Sequence, residues 1–97
     1  MEREDFLFTI GYQGNSPVVD KQARKDYGKL STMELAEKGL FKPAFCSALF
    51  SENDEEIKAF LDYFNSVSER KYGSAFELKR LFGVFGVPKD TGKVILI

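Results

Sequence analysis

The side chains most often used for nucleophilic and acid–base chemistry are nearly absent from this sequence. Its 97 residues include one cysteine, Cys46, and no histidine. Without histidine the chain lacks the side chain that titrates near neutral pH, and neither a Ser-His-Asp nor a Cys-His site can form. The same composition excludes the usual structural zinc sites. We therefore expect a protein that is not an enzyme and that holds no metal ion or cofactor.

Cys46 itself lies in an apolar segment. It follows Pro43 by about one helical turn, where a helix N-terminus can lower the pKa of a thiol. Its neighbours Phe45 and Leu49 favour burial instead, and a buried free cysteine behaves as a small hydrophobic residue. The segment therefore predicts that Cys46 is a core residue and not a nucleophile.

A glycine-containing turn offers backbone amides to a ligand. Gly11 and Gly14 flank the turn and Asn15 follows, and successive amides in such a turn can form an anion-binding nest. Glycine at the end of a strand mostly serves turn geometry, so the motif has low specificity. Three basic side chains come soon after the turn and add positive charge: Lys21, Arg24 and Lys25. These six residues predict a candidate site for a small anion or a nucleotide.

A second glycine-containing segment, residues 86–93, invites comparison with a phosphate-binding P-loop. Five residues separate Gly86 from Gly92 where that motif has four, and Val94 stands where it needs serine or threonine. A strand pattern follows where the motif requires a helix. The segment therefore predicts a hairpin turn between two strands, residues 83–87 and 93–97.

The last four residues are apolar and mostly β-branched: Val94, Ile95, Leu96 and Ile97. An uncovered strand edge of this kind favours pairing with another chain. The pattern leaves two alternatives, a central strand of the sheet or an edge strand that pairs across the axis of a homodimer. The 10 phenylalanines and 4 tyrosines also supply more apolar area than one small core needs, which favours the homodimer.

Charge argues against a dedicated nucleic-acid binder. Lysine and arginine number 14 and the acidic residues 15, for a net charge of −1. Residues 32–50 have the outline of a helix-turn-helix, but the second helix presents Phe45 and Phe50 where polar or basic groups would have to read DNA. A basic segment at 21–29 and an acidic segment at 52–56 instead suggest association between complementary surfaces.

Residues 51–68 carry the clearest structural pattern in the chain. Apolar residues recur there at helical spacing: Ile57, Phe60, Leu61, Phe64 and Val67. Asn53 with Glu56 three residues later predicts a capping box at the start of this helix. We expect an amphipathic helix around which the other elements pack, above all the apolar helix predicted at 43–50.

Shorter elements flank these two helices. The sequence predicts a strand at 6–10, a helix at 32–38 and a helix at 75–82. Residues 16–20 fit either the return strand of a hairpin or the start of a helix, and the adjacent valines favour the hairpin. Residues 21–28 fit a helical turn or a loop.

These elements predict one domain, residues 1–97, of the α+β class. Four short-to-medium helices would pack on a small, mainly antiparallel sheet formed by N- and C-terminal strands. No apolar run of about 20 residues predicts a membrane span, and no signal peptide is evident, so we expect a cytoplasmic protein. The favoured function is a small, non-catalytic interaction module that self-associates. The alternative is binding of a small anion or nucleotide at the turn, and a third, less favoured one is weak nucleic-acid binding through Lys21, Arg24 and Lys25.

Overall fold

Six helices and three strands make up the chain, and the computed structural model describes all residues from Met1 to Ile97. The helices are α1 (Arg3–Leu7), α2 (Lys21–Tyr27), α3 (Thr32–Glu37), α4 (Phe41–Ser51), α5 (Asp54–Val67) and α6 (Ala75–Phe82). The strands are β1 (Thr9–Gln13), β2 (Ser16–Val19) and β3 (Ile95–Leu96). The α+β class is confirmed. The expected four helices become six, and the expected antiparallel sheet is mixed.

The sheet is built on a hairpin that joins β1 to β2. The two strands are antiparallel and β2 pairs in parallel with β3, so the strand order is β1-β2-β3. Gly14 has a φ of 61° at the first turn position and Asn15 has a negative φ, as a type II′ turn requires. The register skips Ile10, which forms a bulge in β1. The hairpin interpretation of residues 16–20 is confirmed, with Asp20 serving as the N-cap of α2.

The strand predicted at 6–10 is wrong over its first three residues. Phe6 and Leu7 belong to α1, and Phe8 is the C-cap residue of that helix. All three side chains are buried, whereas a strand at a sheet surface would turn alternate residues outward. A run of adjacent apolar residues has no period that separates helix from strand, which explains the error.

The hairpin predicted for the C-terminal part is also wrong, because residues 83–87 form no strand. The C-terminal strand, which was expected to pair with them, pairs with β2 instead. The Ile97 N–H donates to the Val19 carbonyl (3.1 Å), and the Lys21 N–H donates to the Ile97 carbonyl (3.1 Å). Gly92 guides the chain there by packing against the β1–β2 turn. A Cβ on Gly92 would lie 2.5 Å from Asn15 Oδ1, so a larger residue would require the Asn15 and Ser16 side chains to move.

The core lies between α4 and α5, as the sequence predicts. Phe45 of α4 and Phe60 of α5 are fully buried, with ring centroids 5.8 Å apart, and Phe82 of α6 packs against both. Helix α4 begins two residues before Pro43, which falls within its first turn, where the missing N–H costs nothing. Neither α4 nor any other helix is long and apolar enough to cross a membrane.

Polar caps fix where the helices begin. Ser31 and Glu34 form the full capping box at the start of α3. At the start of α5 only half of the predicted box forms. Asn53 Oδ1 accepts from the N–H groups of Glu55 (2.9 Å) and Glu56 (3.3 Å), but the Glu56 carboxylate turns away to Thr32. This diversion links the start of α5 to a polar cluster described below.

Candidate functional site

The residues of the predicted anion-binding turn lie at the tip of the β1–β2 hairpin. Gly11 is within β1, whereas Gly14 and Asn15 form the two-residue turn itself. The Asn15 carbonyl accepts a hydrogen bond from the Gly92 N–H (2.8 Å). One side of the turn is therefore occupied by another part of the chain.

The basic side chains predicted to complete that site lie elsewhere. Lys21, Arg24 and Lys25 are on α2, which begins after the far end of β2. The four residues of β2 separate α2 from the turn by roughly 13 Å. Arg24 is also engaged: its Nε donates to Asp5 Oδ1 (2.7 Å), and its Nη2 lies 3.3 Å from Glu2 Oε2. The hydrogen bond to Asp5 raises the pKa of Arg24 above its ordinary value. The structure thus separates the two halves of the predicted site.

The outer edge of β3 is one candidate interaction surface. Strand β3 lies at the edge of the sheet, so the alternative of a central strand is excluded. Val94 and Ile95 are half-buried, whereas Leu96 and Ile97 expose 48% and 65% of their surface. The strand pairs only with β2, on its inner side. The residues predicted to form a dimer edge therefore belong to an apolar edge strand whose outer side has no partner.

A cavity of about 320 Å³ lies between β1, α4 and residues 83–88, and we call it the β1 cavity. Its apolar lining consists of Phe6, Ile10, Tyr12, Val84, Phe85 and Pro88. Ile10, Tyr12 and Phe85 are among the most exposed large apolar side chains of the chain. The β1 cavity is therefore an open depression of mixed polar and apolar lining on the side of β1 away from β2.

Two functional groups of α4 face the β1 cavity, Lys42 and Cys46. They are four residues apart and so lie on the same face of the helix. Burial raises the pKa of the Cys46 thiol to about 11, although the nearby Lys42 opposes the shift. Burial, with a smaller effect of Cys46, also raises the pKa of Tyr12. The thiol and the phenol are thus both neutral at pH 7, and Lys42 is the only charged side chain that lines the cavity.

A partly buried polar cluster, which we call the Arg3–Glu56 network, joins four elements of the fold, with Thr32 and Ser47 buried at its centre. Arg3 Nη2 donates to Ser47 Oγ (2.8 Å), Ser47 Oγ lies 2.7 Å from Thr32 Oγ1, and Thr32 Oγ1 lies 2.5 Å from Glu56 Oε1. Thr32 has one hydroxyl proton, which an ionised carboxylate must receive, so the Ser47 hydroxyl donates to Thr32. The hydrogen bonds therefore run in one direction, from guanidinium to carboxylate.

Thr32→Val is expected to lower the free energy of unfolding by about 2 kcal/mol, because the buried Ser47 hydroxyl loses its acceptor and Glu56 loses a donor. Urea unfolding followed by circular dichroism measures the change. Thr91→Val makes the same change at a half-buried hydroxyl that forms no hydrogen bond within the chain, and should stay within about 0.5 kcal/mol of the wild type.

A double-mutant cycle tests whether these hydroxyls act as a chain. Adding Ser47→Ala to Thr32→Val removes the orphaned hydroxyl, so the double variant should lose less stability than the sum of the two single variants. Strict additivity would show that Ser47 and Thr32 do not depend on each other.

Sequence reasoning missed the β1 cavity, although it correctly predicted the burial of Cys46. The spacing of Lys42 and Cys46 on one helix face was an available signal. The proximity of Tyr12 and Phe85 was not, because they are far apart in the sequence and belong to segments whose predicted structure was partly wrong.

Comparisons with protein-family models, with curated proteins and with solved structures find no match to this chain. Its function must therefore be argued from its own geometry, and two surfaces present themselves: the outer edge of β3 and the β1 cavity.

Proposed function

We propose that this chain is a small, non-catalytic interaction module that self-associates through the outer edge of β3. One observation carries the proposal: an apolar strand lies at the sheet edge with no partner on its outer side, and its Leu96 and Ile97 are 48% and 65% exposed. Unpaired backbone groups beside exposed apolar side chains favour addition of another strand. Residues 94–97 contain no proline, charge or bulge that would block such pairing.

A second copy of the chain is the partner that this edge fits most simply. Two β3 strands related by a two-fold axis present the same patch to each other, which is the arrangement of most homodimers. Each β3 strand has both backbone N–H donors and C=O acceptors, so the pairing would satisfy the hydrogen bonding of both copies. Contact between the copies would also remove Leu96 and Ile97 from water.

The remaining chemistry of the chain supports a non-catalytic role. The Cys46 thiol has a pKa of about 11 and is protonated at neutral pH, which makes it a poor nucleophile. Anion binding at the hairpin turn stays a prediction with less support, because Arg24 is paired with Asp5 and α2 lies beyond the other end of β2.

The test is the mass in solution, measured by light scattering at micromolar concentrations. We expect a dimer for the intact chain and a monomer for the double variant Leu96→Lys/Ile97→Lys, which places charges on the edge but keeps the backbone that pairs with β2. The melting temperature of the intact chain should rise with protein concentration, and that of the double variant should not.

Two controls make this result specific. Deletion of residues 94–97 should also abolish the dimer, and circular dichroism shows whether the shortened chain is still folded. Phe76→Lys places the same charge on an exposed aromatic position of α6 and should leave the dimer intact. A monomeric intact chain, or a double variant that dimerises normally, would contradict the proposal.

A further inference from the structure

The β1 cavity has the size of a small-molecule site, and half of its lining residues are apolar. Its volume of about 320 Å³ lies near the lower end of the range for ligand pockets, which are typically apolar with a few polar groups. Phe85, on the segment that follows α6, is 62% exposed and contributes little to the core. Its ring and that of Tyr12 both line the cavity, so exposed aromatic surface is gathered around one depression.

The charge in the cavity selects the kind of ligand. Lys42 is the only charged side chain in the lining, which contains no acidic residue. The chain forms three ion pairs and none includes Lys42. Asp20 lines the adjoining depression that also includes Lys42, but its carboxylate accepts a hydrogen bond from the Ala23 N–H as the cap of α2. A single ammonium without an ion pair, in a lining that also contains the aromatic rings of Tyr12 and Phe85, is complementary to one negative charge on an apolar body.

A carboxylate fits this arrangement better than a phosphate does. A phosphate group at pH 7 carries close to two charges and is usually held by several cations or by arginine. The β1 cavity offers one lysine, and its other polar side chains are neutral. The Tyr12 phenol can add a hydrogen bond to a carboxylate oxygen, whereas the Thr9 hydroxyl already donates its one proton to the Asp5 carbonyl (2.6 Å).

We propose that the β1 cavity binds a small apolar monocarboxylate, with the carboxylate at Lys42 and the apolar body against Tyr12 and Phe85. Binding here is independent of self-association at β3, which lies at the opposite edge of the sheet. The site is therefore an additional binding function of the chain.

Glycine amides provide the readout for a direct test. Gly11, Gly83 and Gly86 line the cavity, whereas Gly39 and Gly73 do not. Octanoate is titrated into the intact chain and followed by amide nitrogen–proton correlation spectra, with octanamide as the matched neutral probe. We expect saturable shifts of the three cavity glycines with octanoate, small or no shifts at the two remote glycines, and weaker binding of octanamide.

Two variants identify the groups responsible. Because Lys42 is exposed, Lys42→Met should weaken octanoate binding about fivefold, the upper end for an exposed ion pair, and should leave octanamide binding unchanged. Lys38→Met removes an exposed lysine outside the cavity and should change neither. Gly11→Val should block both probes, because a Cβ at Gly11 meets no atom within 4 Å and the added side chain enters open space beside the cavity.

Several results would overturn the inference. They are the absence of octanoate binding at millimolar concentration, equal binding of octanoate and octanamide, shifts centred on Gly39 or Gly73, and normal binding by a folded Lys42→Met or Gly11→Val variant. The Leu96→Lys/Ile97→Lys variant should bind octanoate as the intact chain does. The mass measurement therefore tests the β3 interface, and the octanoate titration tests the cavity site, independently of each other.

Discussion

Phe60→Ala is expected to lower the free energy of unfolding by about 3–5 kcal/mol, the usual cost of removing a buried phenylalanine ring. Phe60 is fully buried at the centre of an aromatic cluster, with its ring centroid 5.8 Å from that of Phe45, 5.7 Å from Phe64 and 6.3 Å from Phe82. Alanine would leave a cavity that three rings from α4, α5 and α6 cannot all collapse to fill. Urea unfolding followed by circular dichroism measures the loss.

Phe76→Ala is the matched control for this substitution. It removes the same ring from α6, but Phe76 is 61% exposed, so the loss should stay within about 0.5 kcal/mol. If the two variants were equally stable, α5 would not be the helix around which the core is organised.

Arg24→Met is expected to cost about 3 kcal/mol, the low end of the range for breaking a buried ion pair on one side. The Asp5 side chain is only 9% exposed, and its carboxylate would lose the guanidinium that lies 2.7 Å away. The uncompensated charge, more than the lost contact, produces the effect. The Arg24 side chain is 33% exposed, so the pair is only partly buried and the expected cost lies at the low end of the range for buried ion pairs.

The reverse substitution separates charge burial from contact loss. Asp5→Asn leaves an arginine that can turn toward water, so it should cost clearly less than Arg24→Met. Lys25→Met, on the same helix but exposed and without an ion pair, should be nearly neutral. If Asp5→Asn lowered the free energy of unfolding as much as Arg24→Met does, the uncompensated charge of the Asp5 carboxylate would not be the cause of the Arg24→Met effect.

Elements with local signals were predictable from the sequence. Helix α5 has apolar residues at helical spacing and a capping asparagine, and it forms within three residues of its predicted start. Ser31 with Glu34 identified the start of α3 for the same reason, since both partners lie within one turn. Such signals survive folding because the residues that carry them are neighbours in any helix.

Elements determined by distant partners were not predictable. The tail was expected to pair with residues 83–87, yet β3 pairs with β2, close to the other end of the sequence. Nothing within residues 83–97 indicates that Gly92 packs against the Asn15 turn. Likewise, Phe6 and Leu7 are helical and buried between α4 and the sheet. Their surroundings exist only in the assembled fold, so the local sequence does not indicate them.

The two candidate sites also differ in whether their residues are neighbours in the sequence. The apolar edge at residues 94–97 is contiguous in the sequence and was recognised there, although its location in the sheet was not determined. The β1 cavity brings together residues from α1, β1, α4 and the segment after α6. Lys42 and Cys46 share α4, and Ile10 and Tyr12 share β1, but these elements and residues 83–88 are far apart in the sequence, so the sequence alone did not bring them together.

The parallel pairing of β2 with β3 has a consequence for the order of folding. Val18 pairs with Ile95, so this contact closes a loop that includes nearly the whole chain, and its entropic cost must be met before the contact contributes stability. The β1–β2 hairpin and the helices, which depend on nearer partners, therefore assemble first, and β3 docks last. Detachment of β3 would leave β2 as an edge strand of the sheet, with no partner on that side. We therefore expect any exchange of strands between copies to begin with detachment of β3.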